Sequence, residues 1–159
     1  MMRPYEESDL AIVMDIANRA WAPIRQMARQ ALGDQISDLL NPEGDDKSKG
    51  EQVRSQAEND PGQFWVCEEQ GKIVGFITFA VNKNTSSGEI LNNAVDPSCG
   101  LKGIGQQMYK AVLEHFRAAG LTYARVGTGL DWAHAPARRA YERAGFNRKL
   151  ENVVYYMEL

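Results

Sequence analysis

At 159 residues the chain is long enough for one domain with a substantial core. Its 43% hydrophobic and 25% charged content is that of a globular protein, and a net charge of −3 without a clustered basic stripe argues against nucleic-acid binding. No apolar run approaches the roughly 20 residues that cross a bilayer, and Met1-Met2-Arg3-Pro4-Tyr5-Glu6-Glu7 lacks an apolar leader core.

Cys67 and Cys99 sit beside no second ligand or obvious disulfide partner. The expectation is therefore one cytoplasmic domain over 1–159, with no metal and no membrane contact.

The first helical stripe is Leu10, Val13, Ile16, Ala17, Ala20 and Trp21, behind Ser8 as a possible cap. Pro23 interrupts it, and Ile24, Met27, Ala28, Ala31, Leu32, Ile36 and Leu39 predict a second helix. Residues 41–60 turn polar and read as a loop followed by a short solvated helix near Glu51 to Glu58. Period two then takes over. Phe64 to Glu68 and Ile73 to Val81 flank Glu69-Gln70-Gly71-Lys72 and predict a hairpin, and Glu89 to Val95 predicts a third strand. Ile104, Met108, Val112 and Phe116 form the stripe of a long helix that stops at Gly120; His115 in that stripe reads as a packing residue. A short strand at Tyr123 to Val126, a helix from Ala135 to Ala144 and a last strand from Val153 to Met157 complete the order. Helices, an antiparallel meander, then alternating strands and helices describe an α+β domain, three-layered, with a mixed central sheet.

Gly100-Leu101-Lys102-Gly103-Ile104-Gly105 links a strand to a helix. Free amides at a helix start form an anion site, and glycine lets backbone approach a phosphate closely. Two nucleotide motifs fail. Lys102 is followed by Gly103 where a P-loop needs Ser or Thr. Met108 and Arg125 stand where a dinucleotide fingerprint needs a small residue and an acid.

The loop is led in by Val95-Asp96-Pro97-Ser98, and about thirty residues on comes His134-Ala135-Pro136-Ala137-Arg138-Arg139-Ala140-Tyr141-Glu142-Arg143-Ala144-Gly145-Phe146. Together these resemble the two signature motifs of the GNAT superfamily of acyl-CoA-dependent N-acetyltransferases. The resemblance implies the GNAT fold, with a mixed, mostly antiparallel sheet, and acetyl-CoA as cosubstrate. The acceptor would be a primary amine of a small molecule or peptide, and a homodimer is compatible with it. Backbone groups of Ala94 and Val95 would pair with the pantetheine arm, and amides of Leu101, Lys102, Gly103, Ile104, Gly105 and Gln106 would cradle the pyrophosphate. Tyr141 would lie near the sulfur and protonate the departing thiolate, Glu89 would take the amine's proton, and the Val95 amide would serve the developing oxyanion. The acceptor would be bound by a first interhelical loop at Trp21-Ala22-Pro23-Ile24 and by a turn at Lys149-Leu150-Glu151-Asn152.

Two positions depart from the motifs. Gly100 occupies the Arg/Gln position, so one side-chain contact to the pyrophosphate is missing. His134 replaces the usual Asn beside the cofactor. These departures favour the rival reading of a non-catalytic acyl-CoA-binding sensor or regulatory module of the same fold, whereas Tyr141 favours an enzyme.

Overall fold

A computed structural model describes residues 1–159. Strands β1 (Met2–Pro4), β2 (Phe64–Glu69), β3 (Lys72–Asn82), β4 (Ser87–Val95) and β5 (Tyr123–Val126) form one sheet in that spatial order. The pairings from β1 to β4 are antiparallel, and β4 with β5 is parallel. The two-residue turn of the β2–β3 hairpin is Gln70 and Gly71, at φ 53° and 74°. Consecutive left-handed residues match the twist of the strands they join, and Glu69 pairs with Lys72.

Helices cover both faces. On one side α1 (Leu10–Leu40) and α2 (Ser48–Asn59) bury Val13, Ile16, Ala17, Val53 and Ala57 against Phe64, Val66, Phe76 and Ala94. On the other, α3 (Ile104–Ala118) and α4 (Ala135–Arg143) bury Met108, Val112, Phe116 and Tyr141 against Ile77, Phe79 and Ile90. The architecture is the expected three-layer α+β domain. His115 is half-buried between the rings of Trp65 and Phe79, at centroid distances of 5.2 and 5.3 Å. No helix is long and apolar enough to cross a membrane.

Four expectations change. Pro23 does not end the first helix. It removes one backbone donor and lies on the exposed side of the helix, and α1 runs on through it. The break falls at Gly33 (φ 77°, ψ 171°), so Trp21 to Ile24 lie within a helix and form no loop. The polar stretch near Glu51 is not solvated all round: α2 buries Lys49, Val53 and Ala57. β1 was not expected, since three residues ending in proline carry no periodicity; it pairs Met2 with Cys67. Residues 147–159 form no strand, and Val153 to Met157 are exposed. Residues 148–152 border a cleft with Ala124 to Val126 but pair with no strand.

Candidate active site

β5 accompanies β4 only from Ser87 to Ile90. Beyond that pair the chain leaves β5 at Gly127, and the Leu91 to Val95 edge of β4 has no strand beside it. The register decides which backbone groups face this open edge. Val95 is opposite Gly75, and the Asp96 amide donates to the Val74 carbonyl at 2.8 Å. That spacing makes Val95 a position without bonds to β3, so its own N–H and C=O point outward, as do those of Asn93 two residues earlier. The Ala94 groups turn inward to Phe76. The expected pair is thereby corrected: Asn93 and Val95, not Ala94, offer backbone to a ligand along this edge.

The edge runs into the glycine turn. Gly100 (φ 67°) and Gly103 (φ 85°) are both left-handed, and Gly103 caps α3. No side chain bonds the first α3 amides, so those of Ile104, Gly105 and Gln106 are free for an external acceptor. An added Cβ at Gly103 would meet nothing within 4 Å, so what glycine supplies there is its backbone angle. Leu101 and Lys102 are exposed at the rim, and the Gln106 side chain is committed to the Ala140 carbonyl at 2.9 Å, tying α3 to α4. The lead-in is held by Arg19 of α1, whose guanidinium lies 2.6 Å from Asp96. Arg19, then Ser98, holds the Asp96 carboxyl at about 2. The Gly100 departure has a conformational cause: any side chain at φ 67° is strained.

Tyr141 is 7% exposed and closes the open edge from the α4 side. Its oxygen accepts from Asn93 Nδ2 at 3.1 Å, while Asn93 Oδ1 accepts from the Tyr109 hydroxyl at 2.8 Å. Burial pushes both phenols up, Tyr109 well beyond the ordinary tyrosine range. With the amide in this orientation the Tyr109 proton is used and the Tyr141 proton is not, so Tyr141 is the phenol able to donate outward. Sequence reasoning missed Asn93 and Tyr109. The signal was Asn92-Asn93 inside a strand, where asparagine is disfavoured without a polar task.

Glu89 lies across β4, on its α2 side, in a cleft of about 610 Å³ shared with Gln52, Ser55, Gln56, Leu91 and Asn92. Arg125 on β5 holds it at 3.3 Å. The wall is stiffened by polar bonds: Thr78 Oγ1 donates to Gln56 Oε1 at 2.9 Å and accepts from the Asn92 amide at 2.9 Å, where β4 bulges. Tyr141 lines a second cleft with residues of the β5–α4 connection and the Arg148 to Asn152 turn, and Gly127 borders both. Glu89 and Tyr141 thus occupy opposite faces of β4, joined at the point where β5 departs. His134 begins α4, with Nδ1 2.7 Å from Asp131 Oδ2 and its amide donating to Asp131 Oδ1 at 3.1 Å.

Residues 25–146 match the sequence profile of the Acetyltransferase (GNAT) family. A mycothiol acetyltransferase of Segniliparus rotundus is 32% identical over 98 residues, covering 59% of this chain and 36% of that protein. One from Thermomonospora curvata is 33% identical over 96 residues, covering 60% and 31%. The chain spans about a third of the length of these curated relatives. Among solved structures, the PaiA N-acetyltransferase of Thermoplasma acidophilum in complex with coenzyme A superimposes with a TM-score of 0.72 at 15% identity, covering 96% and 92% of the two chains. Ard1 from Thermoplasma volcanium gives 0.65 at 21%, covering 94% and 84%. These likenesses establish the shared fold.

Proposed function

The chain belongs to the GNAT family of acetyltransferases, and from that premise we propose that it transfers an acetyl group from acetyl-CoA to a primary amine of a small molecule or peptide. The observation that carries the reading is the continuous backbone surface from the open β4 edge to the uncapped α3 amides. The outward groups of Asn93 and Val95 can pair with an extended, amide-containing arm as a neighbouring strand would. The amides of Ile104, Gly105 and Gln106 suit a pyrophosphate at the positive end of the helix dipole. Acetyl-CoA supplies the activated acetyl group as a thioester.

The residues divide the remaining tasks. An ammonium cannot attack, so the amine loses a proton to Glu89 directly or through water, and Arg125 fixes the direction of that carboxylate. The amine nitrogen bonds to the acetyl carbon, the carbon–sulfur bond breaks, the thiolate takes the Tyr141 proton, and the nitrogen gives up its second proton, which through water restores the Tyr141 phenol. Asn93 positions Tyr141 by donating to its oxygen, which leaves the phenolic hydrogen turned outward. The outward Val95 amide is the donor for charge building on the acetyl oxygen. His134, bound to Asp131, acts by setting the start of α4, and through it the height of Tyr141.

A second reading is favoured by the Glu89–Arg125 pair, which engages the proposed base: a module that binds acyl-CoA without turnover. Both readings require CoA to raise the melting temperature and ATP to leave it unchanged. Release of free thiol over a panel of amines, with acetyl-CoA present, is expected of the enzyme alone. A melting temperature indifferent to CoA overturns both.

A further inference from the structure

Positive charge collects without a matching acid where α1 meets the start of α2. Lys49 is 6% exposed, and its Nζ donates to Gln52 Oε1 at 2.7 Å and Asn92 Oδ1 at 2.5 Å, 4.2 Å from the centre of the Trp21 ring. All three partners are neutral. Burial, then the neighbouring Arg25 charge, brings Lys49 down to about 8. The Arg25 Nε is buried with no hydrogen-bond partner, and desolvation lowers that group as well. Ser48, 8% exposed, has a buried hydroxyl that is equally unpartnered.

Nearby acids are already engaged. Arg29, one helical turn from Arg25, takes Asp34, Asp38 and Asp45. Asp45 is the one acid whose field reaches Arg25, and its oxygens are bonded to Arg29 and Asn41. Desolvated cations are strongly disfavoured without a counter-charge. Gln52 and Asn92, which hold Lys49, also face the Glu89 cleft. The cleft therefore has a carboxylate toward β5, and Lys49 lies behind the wall that Gln52 and Asn92 form, within the field of Arg25.

We propose that Arg25 and Lys49 bind a carboxylate on the acceptor, so that the amine acetylated belongs to a zwitterionic small molecule of the amino-acid class. The proposal rests on the acetyl-transfer reading and deepens it. An amino acid would lie along the cleft with its amine toward Glu89 and its carboxylate toward the cation pair. The planar guanidinium fork of Arg25 matches two carboxylate oxygens, and Ser48 adds a hydroxyl donor.

The test compares free amino acids with their carboxamides as acceptors, by thiol release at saturating acetyl-CoA. At least one amino acid should exceed its own carboxamide about tenfold or more in kcat/KM, chiefly through KM. Arg25→Gln and Lys49→Met should each bring that ratio toward one, while the CoA-induced melting shift persists. Equal use of acid and carboxamide, a preference for O-phosphoethanolamine over every amino acid, or variants that keep the ratio overturns the proposal. Should CoA bind and no amine release thiol, the acetyl-transfer reading fails and binding alone decides this one. The Arg25 Nε–H resonance, assigned by its loss in Arg25→Gln, should then shift on titration with the amino acids. A resonance that none of them moves overturns the site.

Discussion

Tyr141→Phe keeps the ring against Tyr109 and Phe146 and removes one hydroxyl from beside Asn93. The variant leaves Asn93 Nδ2 without its acceptor and should lose about 1–3 kcal/mol of stability, and kcat should fall by up to about 100-fold with KM for acetyl-CoA nearly constant. General acids contribute about 10²–10⁴-fold, and a thiolate needs less help than most leaving groups. A folded variant with full kcat when chemistry limits the rate removes Tyr141 from the mechanism. Gly100→Arg restores a side chain that can reach a phosphate, yet at φ 67° it costs about 1–2 kcal/mol of backbone strain. The variant should melt about 2–8 °C lower without ligand, and an unchanged melting temperature contradicts the strain. At this scale Tyr141 and the glycines were legible because a motif fixes their spacing. Asn93, Tyr109 and the Arg25–Lys49 pair were not, because each acquires its meaning from a partner 16 to 48 residues away or on another helix.

The glycine turn depends on α1 through Arg19, so an element distant in sequence holds the lead-in to α3. Asp96 has its folded pKa depressed to about 2, so its pairing stabilises the fold above the unfolded carboxyl range and that contribution is lost as pH falls through about 4 to 2. Arg19 is 39% exposed and Asp96 18%, so screening leaves about 1 kcal/mol. Arg19→Met should lose that much at pH 7, and chemical denaturation should find the gap closing by pH 2.5. A constant gap across that range means the arginine acts through packing alone. Period and turn residues made β2, β3, β4, α3 and α4 readable. The continuity of α1 across Pro23 was not, because proline states only that one donor is missing and not whether the helix resumes beyond it. The final strand failed for the converse reason: Val153 to Met157 is apolar and aromatic enough to suggest a strand, but a run without alternation specifies no register with a partner edge, and none pairs with it.

Across the whole molecule the sheet is a partition with one opening. Helices α1 and α2 close one face and α3 and α4 the other, and the clefts that hold Glu89 and Tyr141 meet only around Gly127, where β5 turns away from β4. Layer order and the two-sided core followed from the alternation of strand and helix patterns. The opening did not, since it depends on β5 being four residues long and pairing with only the first part of β4. For catalysis the opening decides how the two substrates meet. On the proposed acetyl-transfer reading each substrate would have its own doorway, so either would arrive or depart while the other stays seated, and no acetylated protein would need to persist between two half-reactions. Initial-rate lines at several fixed acceptor concentrations should intersect when plotted double-reciprocally against acetyl-CoA, and parallel lines would exclude this traffic. Because both doorways lead to one gap, a single molecule joining an amine to CoA through a short linker should thread the sheet and bind more tightly than either half alone.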